Sequence, residues 1–296
     1  MENNYFRIAD HNICIRFADT QVNNMQLMPS YEPFRINGEA LTDELLFTIT
    51  VDDATPYTEA DVLHESDTGN GIIYVFRLAD DGYQYIIRDI NKRNRCLLVC
   101  NKDFSQCRCA LKGNTLMRTY GLNAALMLTF AFASSYHDTL LLHASCIAHG
   151  EWAYPFTAKS GTGKSTHTSL WLKHIEGSEL LNDDNPVVRI LSDGLPYIYG
   201  TPWSGKTPCY RNRRLRLGAM TKIERDDHNW IEQLKTAEAL VMMLPNLSTM
   251  KWDKEVYLSN CNTIGRIIET TPIYTLHCLP DEEAAQLSFK TLKRSC

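Results

Sequence analysis

One short segment of the sequence has the residue types and spacing of a phosphate-binding turn. Residues 158–166 read Ala-Lys-Ser-Gly-Thr-Gly-Lys-Ser-Thr. Gly161 and Gly163 permit backbone conformations that a side chain would obstruct, so that successive N–H groups can face phosphate oxygens. In such a turn the lysine, here Lys164, reaches the outer phosphates, and the hydroxyl of the next residue, Ser165, ligates Mg²⁺. The segment therefore predicts a binding site for ATP and Mg²⁺.

The residues in and beside this turn supply its other predicted contacts and its supporting elements. We assign nucleotide contacts to Ser160, Gly161, Thr162, Gly163, Lys164, Ser165 and Thr166. The glycine that usually begins such a turn is replaced by Ala158, which adds only one methyl group. A strand should precede the turn and a helix should follow it, as the patterns at Trp152–Thr157 and Lys164–Ile175 indicate. Pro155 cannot donate to a sheet ladder, so we expect an edge or a bulge there.

Two adjacent acidic residues, Asp183 and Asp184, follow this turn by about twenty positions. Phosphoryl transfer uses one carboxylate to hold Mg²⁺ and one to orient or deprotonate the attacking hydroxyl. Neighbouring side chains of a strand point to opposite faces, so both carboxylates reach one site only where the strand ends and the chain turns. Asn185-Pro186 favours such a turn. An ordinary Asp-Asp-Asn-Pro turn without a catalytic role is the alternative interpretation.

Three further polar features are candidates for the same site. His143 lies in the apolar run Leu140–Ala148, where it is either a hydrogen-bonded core residue or a group that tunes the protonation of the catalytic aspartate. Lys206 ends the loop Gly200–Lys206 and is a candidate second phosphate or carboxylate clamp, the alternative being an exposed surface lysine. The basic cluster at 211–216 has two functional interpretations, an arginine that reaches the transferred phosphate or a patch that binds an acidic substrate. The alternative is a strand face that is exposed to solvent.

The composition limits the classes of protein to which the chain can belong. Its 296 residues are 44% hydrophobic and 22% charged, which is typical of an ordinary globular protein. The net charge of −5 gives no general attraction to nucleic acid or to an anionic membrane. The first residues lack the features of a secretion signal, and the longest apolar run, 122–133, is too short to span a bilayer. We therefore expect a cytoplasmic protein without nucleic-acid or membrane partners.

The strand and helix patterns divide the chain into three parts. Residues 1–115 read as a β-rich N-terminal domain of unknown role, in which Asp80-Asp81-Gly82 predicts a hairpin turn. Residues 116–136 read as an apolar connecting helix. In residues 137–296 strands alternate with helices, which predicts an α/β domain with a mixed sheet and flanking helices around the nucleotide site. The ten cysteines are too scattered for a disulfide scaffold and complete no zinc set.

The order of these motifs resembles the catalytic domain of HPr kinase/phosphorylase. Members of that family carry a strand histidine, a loop of the form Ser-Gly-x-Gly-Lys-Ser and an aspartate pair, which correspond here to His143, residues 160–165 and Asp183-Asp184. The loop is also similar to that of ATP-dependent phosphoenolpyruvate carboxykinase, a relative with a similar nucleotide core. The resemblance covers residues 137–210, extends in outline over 211–296, and does not include the β-rich part.

The resemblance implies an ATP-dependent kinase and a role for each matched residue. Lys164 would bind the ATP phosphates, Asp183 would be the base toward the acceptor hydroxyl, and His143 would be its neighbour. Ser165 would ligate Mg²⁺, with Asp184 as a further metal or water ligand. The chain lacks the Glu-x-Arg-Gly segment and the C-terminal HPr-contacting loop of the family. We therefore expect a different acceptor, a serine-type hydroxyl in a protein, a peptide or a small molecule.

Two other functions stay open at this stage. A carboxykinase-type enzyme would need a second metal and a set of arginines that grip the carboxylate of an oxo-acid, and the sequence assigns no such set. A non-catalytic nucleotide sensor or adaptor would need only the turn, with the β-rich part as the surface for a partner. The sequence does not name the acceptor, and it leaves a homo-oligomer open.

Overall fold

The computed structural model describes residues 2–38, 41, 44–159, 161–205 and 207–294, and the chain divides into two compact units. The first unit comprises the residues up to Ser134 together with Met250–Lys254. The second comprises Ser135–Thr249 and the residues from Glu255 onward. Mixed sheets with flanking helices build the chain, which confirms the α/β class. Among the helices in the described ranges, none has both the length and the apolar character needed to cross a membrane.

A mixed sheet forms the centre of the first unit. In the described residues it contains nine strands in the order β3-β1-β2-β4-β9-β8-β7-β6-β5, with parallel pairing of β4 to β2 and to β9. The strands are β1 (Glu2–Ile8), β2 (His11–Phe17), β3 (Arg35–Ile36), β4 (Leu45–Val51), β5 (Val62–Asp67), β6 (Gly71–Arg77), β7 (Tyr83–Asp89), β8 (Asn94–Cys100) and β9 (Gln106–Leu111), with 3₁₀ turns at Met25–Leu27 and Pro29–Phe34. The hairpin turn predicted at Asp80-Asp81-Gly82 joins β6 to β7.

The apolar helix α1 (Thr115–Ser134) packs on this sheet against β4, β8 and β9. Leu122, Leu126 and Phe130 on this helix are fully buried. Gly121 permits the close approach, because a Cβ at this position would lie 2.8 Å from the Arg95 carbonyl oxygen. The segment predicted as a connecting helix is therefore part of the first unit.

A second mixed sheet forms the centre of the second unit. Its strands are β10 (Thr139–Leu141), β11 (Ser145–His149), β12 (Trp152–Thr157), β13 (Ser178–Asn182), β14 (Val187–Ile190), β15 (Pro196–Tyr199), β16 (Arg214–Leu217), β17 (Met220–Arg225), β18 (Trp230–Gln233) and β19 (Ile273–Cys278). The main order is β10-β14-β15-β16-β12-β17-β19-β18, and β11 pairs with β12 and β13. Strand β12 is parallel to β16 and β17, and β17 is parallel to β19.

Helices cover both faces of this sheet. They are α2 (Lys164–His174), α3 (Thr236–Met243), α4 (Lys254–Thr270) and α5 (Glu282–Leu292), with 3₁₀ turns at Ser135–His137 and Leu244–Asn246. Successive residues of a strand face opposite sides, and on β12 Ala153 packs in the core that contains residues of α3 and α4. The next residue, Tyr154, packs in the core that contains Trp171 of α2 and residues of α5. The strand–turn–helix arrangement of β12 and α2 therefore lies at the centre of the unit.

The segment Leu140–Ala148, predicted as one strand, forms two strands that are separated by Leu142–Ala144. The backbone N–H groups of these three residues donate to the carbonyl oxygens of Pro186, Asn246 and Asp184, respectively. These bonds draw the chain out of a single ladder. The interruption positions His143 beside the turn that follows β13.

Strands β16 and β17 are separated by a short gap, and this gap explains how Pro155 is accommodated. Strand β12 pairs with β16 at Trp152 and Ala153, and with β17 at Phe156 and Thr157. Pro155 lies between these two pairings, so its missing N–H removes no bond on that side. Of the two predicted settings, an edge or a bulge, the edge is excluded because β12 has neighbours on both sides, and the proline lies at an interruption in one neighbour.

Candidate functional site

The predicted phosphate-binding turn connects β12 to α2. Gly161 and Gly163 have φ values of 77° and 131°, in the region that favours glycine. Gly163 has no side chain that could cap α2, so the first N–H groups of this helix stay available to an anion. Ser160 lies outside the described residues. In the described residues, the positive φ values of the two glycines and the uncapped start of α2 are compatible with the predicted phosphate-binding turn.

Arg225, at the end of β17, holds the turn from one side. Its Nε donates to the Thr162 carbonyl oxygen at 3.0 Å, and its Nη2 donates to the Gly161 carbonyl oxygen at 2.8 Å. One guanidinium therefore binds two successive carbonyl groups of the turn. The sequence motifs did not predict a role for Arg225. Its position at the carboxyl end of a strand parallel to β12 was the available signal, because ligand sites of α/β sheets lie at such ends.

Lys164 and His143 are in direct contact. The Lys164 Nζ atom lies 2.8 Å from Nε2 of His143 and donates to the Ala158 carbonyl oxygen at 3.3 Å. Burial lowers the pKa of Lys164, while Asp184 and Asp183 oppose that shift. An ammonium group has no lone pair, so Nε2 of His143 accepts this hydrogen bond and the ring proton resides on Nδ1. In this arrangement the lone pair of His143 Nε2 faces the Lys164 ammonium.

Asp184 completes a chain of three polar side chains. Its Oδ1 lies 3.3 Å from Nδ1 of His143, and its Oδ2 accepts a hydrogen bond of 2.7 Å from Asn185 Nδ2. The Asp184 side chain is about one-third exposed, since its relative accessible surface is 34%. The structure thus brings together three of the residues predicted from the sequence, Lys164, His143 and Asp184.

Asp183 occupies a different environment from its neighbour. It is buried, and it accepts hydrogen bonds from Ser145 Oγ at 2.9 Å and from the Thr207 backbone N–H at 3.3 Å. The Ser145 hydroxyl also lies 3.0 Å from Thr168 Oγ1 on α2. The prediction that His143 would neighbour Asp183 is corrected here, because the carboxylate that contacts His143 is that of Asp184. Asp183 instead links β11 to the turn after β13.

The side chain of Asn182 explains why two adjacent aspartates diverge. Its Oδ1 accepts from the backbone N–H groups of Asp184 and Asn185, which fixes a turn directly after β13. Its Nδ2 donates to Thr201 Oγ1 at 3.1 Å and so ties this turn to the loop that follows β15. The chain turns where the sequence predicted, at the end of the strand and before Pro186.

The loop from Gly200 to Gly205 lies against the aspartates. A Cβ on Gly205 would lie 3.3 Å from the Asp184 Cβ and 3.3 Å from the Asp183 carbonyl oxygen. Glycine at position 205 therefore allows the loop to approach the two aspartates closely. Lys206, predicted as a second clamp, lies outside the described residues.

The basic cluster at 211–216 makes contacts of the kind expected for a solvated strand face. Arg211 and Arg213 both pair with Glu179, at 2.6 Å and 2.9 Å. The guanidinium groups of Arg214 and Arg216 lie over aromatic rings of neighbouring strands. The arginine that contacts the turn is Arg225, from outside this cluster.

Two clefts in the second unit adjoin the turn. The first, of about 440 Å³, is lined by Gly161–Gly163, by Thr166 and Leu170 of α2, and by Arg225 and Leu279 among others. The second, of about 720 Å³, is lined by His143, Ala158, Lys159 and residues of and around α3. A ligand in the first cleft would contact Gly161–Gly163, whereas a ligand in the second would contact Ala158 and Lys159.

The predicted Mg²⁺ ligands suit a hard cation. Ser165 lies in the exposed first turn of α2, and Asp184 offers a partly exposed carboxylate. Hydroxyl and carboxylate oxygens are the ligands that Mg²⁺ prefers in proteins.

A scan against models of protein families gives no match, and a search of curated proteins finds no similar sequence. The functional argument therefore depends on the geometry of these residues.

Proposed function

We propose that this protein is an ATP-dependent kinase that resembles the catalytic domain of HPr kinase/phosphorylase and transfers a phosphoryl group to a hydroxyl. The observation that carries the proposal is the chain of Lys164, His143 and Asp184 beside the glycine turn. Kinases need a phosphate cradle, a cation at the outer phosphates and a group that accepts the proton of the acceptor. The glycine turn, Lys164 and His143 lie next to one another in the second unit, and their proximity supports these three roles.

ATP is expected to bind with its base in the first cleft and its phosphates on the turn. Leu170, Ile223 and Leu279 give this cleft an apolar wall suited to a planar base. The N–H groups at Gly161–Lys164 would face the phosphates, and the Lys164 ammonium would pair with the outermost ones. Ser165 and Asp184 would hold Mg²⁺, which when bound neutralises charge on the phosphates.

We assign the role of proton acceptor to His143. When Lys164 turns to the phosphates, the lone pair on His143 Nε2 becomes available to accept the acceptor's hydroxyl proton. Asp184 would stabilise the resulting imidazolium through Nδ1, as a carboxylate does for other catalytic histidines. Asp183, which the resemblance implies as the base, is buried and accepts a hydrogen bond from Ser145, so we assign it a positioning role.

The carboxykinase alternative receives less support from the geometry. That reaction needs arginines free to grip an oxo-acid carboxylate, whereas Arg211 and Arg213 pair with Glu179 and Arg225 binds carbonyl groups of the turn. The sensor alternative retains nucleotide binding and differs only in the absence of transfer. A measurement of phosphoryl transfer therefore distinguishes a sensor from a kinase.

The test measures nucleotide binding and transfer separately. Calorimetry with Mg²⁺ and a non-hydrolysable ATP analogue reports binding, and labelling of an extract of the source organism with γ-labelled ATP reports transfer. Lys164→Ala should abolish both activities, whereas His143→Gln should retain binding and lose transfer by about a hundredfold or more. Binding without any labelled acceptor or ATP turnover would favour the sensor. Absence of nucleotide binding would overturn the proposal altogether.

A further inference from the structure

The second cleft has the size of a small-molecule site. Its volume of about 720 Å³ lies within the range of roughly 300–1,000 Å³ that such sites occupy. It adjoins the turn at Ala158 and Lys159, and it includes His143, whose Nε2 contacts the Lys164 ammonium. A ligand in this cleft would therefore lie next to the group that we assign as the proton acceptor.

The lining of this cleft is largely apolar on one side. Its apolar side chains come from α3 and the segments next to it, namely Leu234, Ala237, Val241, Met242 and Pro245. The side chain of Val241 is 71% exposed, so this part of the cleft presents apolar surface to solvent. Burial of this surface by a ligand would be favourable by the hydrophobic effect.

Several polar groups of the cleft make a contact within the protein. The Glu238 carboxylate accepts from the Lys235 backbone N–H at 2.9 Å, and Asn246 Nδ2 donates to the Met242 carbonyl oxygen at 2.8 Å. Lys222 pairs with Glu224 at 2.5 Å. Several hydroxyl groups of a sugar or another polyol would lie against the apolar side of this cleft, where apolar side chains replace none of their hydrogen bonds to water. The aliphatic or aromatic body of a ligand has no such bonds to lose.

We infer that the second cleft binds the phosphoryl acceptor, and that this acceptor is a small alcohol with an aliphatic or aromatic body. This inference rests on the proposed kinase function. The apolar body lies against Val241 and Ala237, and the hydroxyl points to His143. In the reaction the hydroxyl oxygen forms a bond to the γ-phosphorus of ATP, and the bond from that phosphorus to the β–γ bridging oxygen breaks. The proton passes to His143 Nε2, and ADP leaves.

The test uses 2-phenylethanol as the apolar probe and glycerol as the polar one. Ligand-observed NMR measures the binding of each, and ³¹P NMR with Mg²⁺ATP measures formation of the phosphate ester. We expect 2-phenylethanol to bind and to be phosphorylated, and glycerol to do neither. Val241→Asp should weaken binding of 2-phenylethanol by about tenfold or more, whereas Leu258→Asp, at an exposed position of α4 outside the cleft, should not. Ala237→Trp, at an exposed position, should exclude the probe by filling the cleft.

Each outcome separates this inference from the kinase proposal. Binding of 2-phenylethanol that depends on Val241, without nucleotide binding, would support the cleft and overturn the kinase. Nucleotide binding together with labelling of proteins in an extract, but without binding of 2-phenylethanol, would support the kinase and overturn the acceptor class. Equal binding of glycerol and 2-phenylethanol, or no effect of Val241→Asp, would also overturn the acceptor class.

Discussion

The Lys164 ammonium donates to Nε2 of His143 at 2.8 Å, so the two groups proposed to act on phosphate and on the acceptor proton are bound to each other. In the proposed mechanism the Lys164 side chain turns from His143 toward the phosphates. Nucleotide binding would therefore release the lone pair on His143 at the moment when a phosphoryl donor is present. The contact gives a physical reason for ATP to bind before the acceptor is activated.

The two aspartates should respond differently to the same substitution. Asp184→Asn changes a partly exposed group in contact with His143, so we expect transfer to fall by about a hundredfold with little change in stability. Asp183→Asn alters a buried group that accepts from both Ser145 and the Thr207 backbone, so we expect a loss of about 1–3 kcal/mol in the free energy of unfolding. Denaturant titration and transfer assays on both variants check this. The assignment of roles would be reversed if Asp183→Asn left stability unchanged and abolished transfer.

Arg225 should affect nucleotide affinity through the backbone of the turn. Arg225→Lys retains the charge but cannot donate in a fork to the Gly161 and Thr162 carbonyl groups together. We expect the dissociation constant of an ATP analogue to rise about tenfold, which corresponds to the loss of about one hydrogen bond. Arg211→Lys is the matched control, because Arg211 pairs with Glu179 on the surface. Equal affinities of the two variants in calorimetry would show that Arg225 does not order the turn.

Local chemistry in the sequence was sufficient to predict the turn and its flanking elements. Trp152–Thr157 is the strand β12, and the helix begins at Lys164 as predicted. Glycine spacing and the following helical pattern act over a few residues, so the sequence carries this information directly. The hairpin at Asp80-Asp81-Gly82 was predictable for the same reason.

The arrangement of the site depends on contacts that sequence periodicity does not determine. Which aspartate faces His143 depends on the bonds from Asn182 to the next turn, and adjacent residues of one type give no signal for that choice. Arg225 reaches the turn only because β17 lies parallel to β12, a pairing between segments more than sixty residues apart. The break at Leu142–Ala144 likewise depends on carbonyl groups from distant segments.

Two glycines of the second unit should respond to alanine with opposite signs. A Cβ on Gly218 would lie 2.5 Å from the Tyr154 ring at the gap opposite Pro155, so Gly218→Ala should cost about 1–3 kcal/mol in the free energy of unfolding. Gly265 lies in α4 with open space around a Cβ, so Gly265→Ala should stabilise by about 0.5–1 kcal/mol. Urea denaturation of both variants measures the difference. A neutral Gly218→Ala would mean that the Tyr154 ring moves aside freely.

Acid should destabilise the protein through His167 on α2. Burial lowers the pKa of this ring to about 4 from its ordinary value of 6.5, where it lies 3.1 Å from Ser288 Oγ and against Phe156. The unfolded chain therefore takes up a proton on His167 at a higher pH than the folded chain does. The contribution of the neutral His167 ring to the free energy of unfolding is fully present above about pH 6.5 and is lost as the pH falls toward 4. This loss amounts to about 2 kcal/mol at pH 5.

His167→Gln removes the titrating ring, so the free energy of unfolding of this variant should fall less between pH 7 and pH 5 than that of the parent protein. His228→Gln is the control, because a hydrogen bond that His228 donates to the Asp227 carboxylate raises the pKa of this exposed histidine. A raised pKa gives stability that is present at low pH and lost as the pH rises, which is opposite in sign to the effect of His167. The control variant should therefore retain the loss of stability in acid. Parallel pH dependence of His167→Gln and the parent protein in urea titrations would show that the His167 ring is protonated equally in the folded and unfolded chains.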